Sequence, residues 1–300
     1  MSLNIFIMQV FNGLSLFTVL LLMALGLAIV FGLMGVINMA HGELMALGAY
    51  ATYLTAQGFA RYLPGWMDYY LFAAILIAFG ASFAFGYVLE RGFIRWFYNR
   101  PLDTLLATWG LSLILQQVYR SLFGAREVSV PMAPWLSGAW DAGAGIELPL
   151  NRIFIVALTL VVALAVFALL FKTRFGLRAR AVTQNRAMSS AAGIDTNRVD
   201  ALTFALGSGL AGIAGAVFTM IGSTNPGTGQ LYLVDSFIVV VFGGVSSLVG
   251  TAASGFLIAQ SQVTLEYLMS GAMAKVAILS LVIAVLYFRP NGLFSSKVRS

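Results

Sequence analysis

The sequence predicts an all-α protein: a polytopic transmembrane helical bundle of about eight to ten spans, with broken helices and one cytoplasmic helix outside the bilayer. Three observations predict it. The chain is 60% hydrophobic and only 9% charged, and a water-soluble domain of that composition has too little polar surface to cover itself. Apolar runs close to the roughly 20 residues that a bilayer core of about 30 Å requires recur along the whole chain. These runs do not alternate with polar residues, as Phe154 to Phe171 illustrates, whereas a transmembrane β-strand must alternate. Candidate spans cover residues 10–34, 42–57, 70–90, 102–120, 151–171, 201–222, 232–250, 252–269 and 273–289, the second and seventh being short or interrupted by glycine. No stretch is left for a soluble domain, so 1–300 reads as one transmembrane unit carrying a cytoplasmic loop at 172–200.

The first span follows Met1 to Gln9, which lacks a basic start, and its apolar stretch is too long for the core of a cleavable signal; it reads as a retained helix. It runs into Gly35-Val-Ile-Asn38-Met-Ala-His41-Gly42-Glu43, which places an amide, the chain's one histidine and a carboxylate between two apolar runs. An ionisable residue at a helix centre costs at least about 2.5 kcal/mol on insertion scales, so such residues need a reason. Gly35 and Gly42 permit a helix break whose freed backbone groups face a cavity or a neighbouring helix. Either the break borders a translocation path, with Asn38 offered to a polar solute, or it is a tight turn in which His41 and Glu43 satisfy each other or cap the next helix.

In the fourth span, Thr104, Thr108 and Ser112 recur four apart after Pro101 and put hydroxyls on one helical face. Membrane hydroxyls bond across helices or back to the carbonyl four residues earlier, and a pathway role is the alternative. Around the sixth span, Gly207-Ser-Gly209-Leu-Ala-Gly212 fits a dinucleotide fingerprint as a string, but it lies inside an apolar run and follows no strand. Close helix packing through small residues, continued by Gly215, is the better account. A second interruption follows, Gly222-Ser-Thr-Asn225-Pro226-Gly227-Thr-Gly229-Gln230, whose breakers cannot continue a helix. Interrupted segments in corresponding places of two halves are the sequence pointer to a midplane site. Asp235 reads either as part of that site or as the N-cap of a helix over 236–242. Glu266 and Lys275 stand near span ends, where long side chains snorkel.

Nine spans put twelve of the seventeen basic residues on one side, including those of 91–100, 172–200 and the C-terminus. By the positive-inside rule the C-terminus and the 172–200 loop are cytoplasmic and the N-terminus is outside. Basic residues flank the spans, so the net charge of +6 calls for contact with membrane lipid and for no nucleic acid. Zero cysteines exclude disulfides, thiolate metal sites and cysteine nucleophiles. His41-Gly-Glu43 matches half of a zinc deaminase signature whose cysteine half cannot exist here, so no metal is expected. No Gly-x-x-x-x-Gly-Lys-Ser/Thr occurs, so ATP-driven work would require hydrolysis by another subunit. No cofactor and no catalytic residue is expected.

The 172–200 island reads as a short helix, with alanines favouring it, Gly193 as the residue after its C-cap, and Asp195 or Thr196 starting the next element. Small apolar residues ringed by Arg178, Arg180 and Arg186 suit docking in a partner's groove; the alternative is an amphipathic helix resting on anionic lipid.

VINMAHGE (36–43), PLDTLLATWGLSLILQQ (101–117), RAVTQNRAMSSAAGIDTNRVDALTF (180–204) with GSGLAGIAG after it, VVVFGG (239–244) and RPNGLF (289–294), taken together and in order, resemble the permeases of branched-chain-amino-acid-type ABC importers. The resemblance covers nearly the whole chain. It implies a bacterial inner-membrane subunit paired with a second, similar permease, two cytoplasmic ATP-binding subunits and a periplasmic or extracellular substrate-binding protein. It also implies that the coupling helix falls on about Gln184 to Ile194, so that Gln184, Asn185, Arg186, Ala187, Ala191 and Gly193 meet the ATP-binding subunits. Within the family, VINMAHGE, AVTQNRAM and LVDSFIVVVFGGV look closest to the permeases of urea uptake, which implies urea or a short amide as solute. A path along Asn38, His41, Glu43, Thr104, Thr108, Asn225 and Asp235 suits a small neutral solute rich in donors and acceptors. A branched-chain amino acid is the alternative solute. A passive urea channel and an intramembrane enzyme using His41 and Glu43 are the readings from other classes.

Overall fold

The computed structural model describes residues 3–98, 100–141, 147–245 and 247–294. Lys297 and Arg299, two of the residues used to orient the chain, lie outside them. Eleven α-helices are present among the described residues: α1 Leu3–Met34, α2 His41–Tyr62, α3 Tyr70–Gly92, α4 Pro101–Phe123, α5 Leu150–Lys172, α6 Arg174–Gln184, α7 Arg186–Ala191, α8 Thr196–Phe218, α9 Thr228–Gly243, α10 Leu248–Leu268 and α11 Gly271–Phe288. A small antiparallel hairpin, β1 Ala139–Asp141 with β2 Glu147–Pro149, lies between α4 and α5. The fold is an all-α polytopic bundle. Each of the nine sequence-derived spans corresponds to one of its helices.

Among the described residues, six stretches are long and apolar enough to cross a membrane: Ile7–Met34, Pro64–Gly92, Leu150–Lys172, Thr196–Phe218, Leu248–Leu268 and Gly271–Phe288. Of the nine helices that match the sequence-derived spans, the other three are α2, α4 and α9, and α2 and α4 carry buried polar residues. α9 has 16 residues, about 24 Å at 1.5 Å per residue, which is shorter than a bilayer core.

The centre of the bundle is α8, with 89% of its most apolar window buried, packed against α1, α2 and α3. Its glycines explain the close approach. A Cβ on Gly207 would meet the backbone of Gly26, one on Gly212 would meet Ala78 and Ser82, and one on Gly215 would overlap the carbonyl of Met45. The Gly207–Gly212 string is therefore a packing surface, in which small residues let membrane helices approach without a hydrophobic driving force. The apolar faces of α5 and α11 are mostly outward, with Leu160, Val161, Leu164, Leu279, Leu281 and Ile283 exposed, as lipid-facing helices require.

Two expectations need correction. Asp235 is not an N-cap: α9 starts seven residues earlier, at Thr228, and Asp235 lies in its interior. The turn that the Asn225-Pro226-Gly227 breakers enforce ends sooner than the run of glycines suggests, because Gly229 is accommodated inside the helix. The 172–200 island is two helices and not one. Asn185 adopts an extended conformation between α6 and α7 and caps α7, accepting from Met188 N at 2.9 Å. Gly193 has φ +82°, the left-handed geometry expected of the residue closing a helix, and Asp195 caps α8 through Arg198 N at 3.0 Å.

Candidate functional site

The first break is built by Gly35, at φ +67°, a conformation in which a Cβ is disfavoured. Its N–H donates to Phe31 O at 3.0 Å and ends α1. Asn38 Oδ1 then accepts from Ala40 N at 3.0 Å, and Asn38 O accepts from His41 N at 3.3 Å, so this side chain shapes the turn into α2. Asn38 Nδ2 is buried without a partner among the described residues. His41 and Glu43 do not satisfy each other. His41 faces α1, with Nε2 3.3 Å from Met23 O and Nδ1 unpartnered among the described residues, while Glu43 faces α4.

Glu43 is the centre of a polar cluster. Its Oε1 accepts from Ser112 Oγ at 2.9 Å and from Gln116 Nε2 at 2.8 Å, and its backbone carbonyl accepts from Tyr119 Oη at 2.9 Å. Glu43 Oε2 is buried without a partner among the described residues. Gln116 Nε2 also donates to Gln230 Oε1 on α9 at 2.9 Å. Ser112 is the twelfth of the 23 residues of α4, so the cluster lies near the middle of that helix. Both helix starts converge here: a Cβ on Gly42 would overlap the carbonyl of Gly229, and one on Gly229 the carbonyl of Gly42. The breaks around 38 and 226 thus deliver the first turns of α2 and α9 to one place, the geometry that midplane sites of transporters use.

The hydroxyl stripe on α4 holds the first break in place. Thr108 Oγ1 donates to Thr104 O at 2.8 Å and accepts from Met39 N at 3.0 Å, joining α4 to the turn. Thr104 Oγ1 donates to Phe97 O and Arg100 O, both at 2.9 Å. Of the other expected site residues, Asn225 lies in the loop before α9, where it accepts from Gly227 N at 2.9 Å and donates to Glu127 Oε1 at 3.3 Å. Asp235 pairs with Lys275 on α11 at 3.0 Å. No contact brings Asn225 or Asp235 to Glu43 among the described residues. Gln116, Tyr119 and Gln230 were missed by sequence reasoning. The first was legible, because 104, 108, 112 and 116 continue one four-residue stripe.

In the 172–200 loop, Gln184, Asn185, Ala187, Met188 and Ala191 are exposed. Arg186 folds back: its guanidinium donates to the buried Asp200 of α8 and to Asn197 at 3.1 Å, and it covers the Tyr98 ring at 5.6 Å. Tyr98 Oη donates to Glu90 Oε1 of α3 at 2.6 Å. Burial, and the Glu90 carboxylate it bonds, push the Tyr98 phenol well above its ordinary range, so it stays a donor. A cavity of about 740 Å³ opens beside this group, between the end of α1, residues 35 and 36, and the start of α4.

The family model described as branched-chain amino acid transport system, permease component, matches residues 9–286. The chain is 30% identical over 298 residues to the high-affinity branched-chain amino acid transport system permease protein LivH of Escherichia coli K12, covering 96% of this chain and 95% of that protein. It is 29% identical over 294 residues to the permease protein BraD of Pseudomonas aeruginosa, with the same coverage. It is 27% identical over 290 residues to the probable permease protein LivH of Methanocaldococcus jannaschii, covering 91% and 88%. No solved structure matches the chain significantly. With the match running from α1 into α11, through both helix breaks and the 172–200 loop, the chain belongs to the permease family of branched-chain amino acid transport systems.

Proposed function

We propose that this chain is the permease subunit of an ATP-driven importer that carries branched-chain amino acids across the bacterial inner membrane. The observation that carries the reading is the full-length similarity to permeases named for those substrates. It favours the amino acid over the urea or amide suggested by VINMAHGE and its companion motifs. The meeting of α2, α4 and α9 at Glu43, Gln116 and Gln230 supports a path there, to which Asn38, His41, Thr104 and Thr108 contribute by holding the break open to the same region. Asn225 and Asp235 are assigned to the outer loop and the α9–α11 contact, away from the centre of the path.

In this reading the chain is not an enzyme. Two cytoplasmic ATP-binding subunits hydrolyse ATP, a second and similar permease completes the membrane unit, and a substrate-binding protein delivers the solute from outside. The C-terminus and the 172–200 loop face the cytoplasm. The exposed strip Gln184, Asn185, Ala187 and Ala191, closed by Gly193, is the surface on which an ATP-binding subunit docks, with small side chains that allow close approach. ATP supplies the difference in affinity between states that any driven conformational change requires.

The test is uptake of labelled leucine and labelled urea by cells with and without this chain, at equal energisation. Loss of leucine uptake alone supports the proposal. Loss of urea uptake that acetamide competes and leucine does not would transfer the chain to the urea branch of the family. Uptake that persists when ATP is depleted would point to a channel.

A further inference from the structure

The short helix α7 has little of its own to hold it. Of its six residues only Ser189 is buried. At one end it meets α6 through Asn185, extended at φ −154° and ψ 99°, and at the other it meets α8 through Gly193 in the left-handed region. Both junctions are of the kind that absorb rotation in a hinge. Ile194, just beyond, packs on Ala179, Val182 and Val199, but α7 itself contributes no buried apolar side chain among the described residues. A segment so attached transmits force only through a specific tie.

That tie is Arg186. Its guanidinium reaches the Asp200 carboxylate, whose side chain is 7% exposed, and a charge-assisted hydrogen bond in such surroundings is among the stronger polar contacts. The same guanidinium lies over the ring of Tyr98, in the connection between α3 and α4, and Tyr98 bonds Glu90 at the end of α3. Glu90 is wholly buried and its Oε2 has no partner among the described residues. Drawing Arg186 away would leave the buried Asp200 carboxylate without the cation it pairs with, so the arrangement resists opening. Arg186, Tyr98 and Asp200 also line the cavity that Gly35 and Val36 line from the other side, which sets the tie against the first helix break.

We propose that Arg186 and Asp200 form the joint that makes α7 move as one body with α8, with Tyr98 and Glu90 as a second arm reaching α3. Arg186 is then a positioning residue turned inward, and not a contact of the ATP-binding subunit. The proposal rests on the reading of residues 184–194 as the docking surface of that subunit.

The experiment uses the complete transporter, with all its subunits, in proteoliposomes, and reads leucine uptake and ATP hydrolysis together. Asp200→Asn is expected to keep hydrolysing ATP while uptake per ATP falls about tenfold, a change within the usual range for coupling between sites. The exchange Arg186→Asp with Asp200→Arg restores most of that ratio, and Tyr98→Phe, which keeps the ring but loses the Glu90 bond, gives a smaller loss. A purely structural role lowers uptake and hydrolysis together at an unchanged ratio, and that result overturns the proposal, as does an exchange variant no better coupled than Asp200→Asn. Ala191→Trp separates the two readings. If it blocks uptake while Asp200→Asn keeps the wild-type ratio, docking stands and the joint fails; if it changes neither rate, the docking reading fails and the joint with it.

Discussion

Gln116 and Gln230 meet amide to amide at 2.9 Å, tying the middle of α4 to the first turn of α9. The same Gln116 nitrogen holds Glu43 at 2.8 Å. An amide NH₂ has two hydrogens, so both are committed, one to each broken segment, and the 3.2 Å approach to Ser112 Oγ is secondary. Gln116→Leu removes both bonds and leaves Glu43 Oε1 with the Ser112 hydroxyl alone. Leucine uptake is expected to fall at least about fivefold, since leaving a buried acceptor short of a donor costs on the order of 1–3 kcal/mol. Uptake normalised to the amount of assembled transporter checks it, and an unchanged rate would remove Gln116 from the path.

Thr108 separates a positioning role from solute contact. Its hydroxyl accepts from Met39 N, inside the first break, while donating within α4. Thr108→Val keeps the shape and loses the acceptor, so Met39 N is left without a partner. The expected cost is about 0.6 kcal/mol and at most about 1.7 kcal/mol, the average and the maximum for hydrogen bonds between membrane helices. Thr108→Ser keeps the acceptor and is expected to stay within a few tenths of wild type by thermal unfolding in detergent. Equal losses in both variants would mean that the methyl group matters and the hydrogen bond does not.

The Asp235–Lys275 pair joins α9 to α11 at 3.0 Å, with side chains 21% and 49% exposed. Pairs this open to their surroundings contribute about 0.2–1 kcal/mol in water. The single substitutions Asp235→Asn and Lys275→Met are each expected to destabilise more than the two combined, because each strands one charge at the edge of the bundle. A double-mutant cycle read by thermal unfolding tests this. Strict additivity of the two changes would deny the pair any role in holding α11.

Where sequence and structure part company, the reasons are local. Apolar length placed nine helices, because it is a property of a residue run and needs no partner. The break at Gly35 was legible for the same reason. Asp235 was misread as a cap because a carboxylate before an apolar run is an N-cap signal only when the helix has not already begun, and α9 begins at Thr228. Arg186 was expected to meet the ATP-binding subunit, and its contacts within the chain were not legible. Its spacing in α7 does not reveal Asp200, fourteen positions away, or Tyr98 in another connection. Glu43 and Gln230 are separated by most of the chain, and only the packing of α2, α4 and α9 makes them neighbours of one amide. The stripe of residues 104, 108, 112 and 116 was the one signal from which that meeting point was readable.

The contact between Gly42 and Gly229 sets how near the two helix starts come. A methyl group on either would overlap the carbonyl of the other. Backbone cannot step aside as a side chain can, so Gly42→Ala must push α2 and α9 apart. Overpacking of this kind costs about 1–3 kcal/mol, and the displacement also pulls Gln230 from Gln116, on which the polar cluster depends. Gly58, in the same helix, has nothing within 4 Å of its would-be Cβ. There an alanine removes the conformational cost of a helical glycine, a gain of roughly 0.5–1 kcal/mol. The two substitutions are chemically identical and lie in one helix, so composition and helix propensity cancel between them. Gly42→Ala is expected to lower the unfolding temperature in detergent and to reduce uptake. Gly58→Ala is expected to raise or preserve both. Should Gly42→Ala unfold normally and transport normally, α2 and α9 do not need this approach, and the convergence of the two breaks would carry no functional weight.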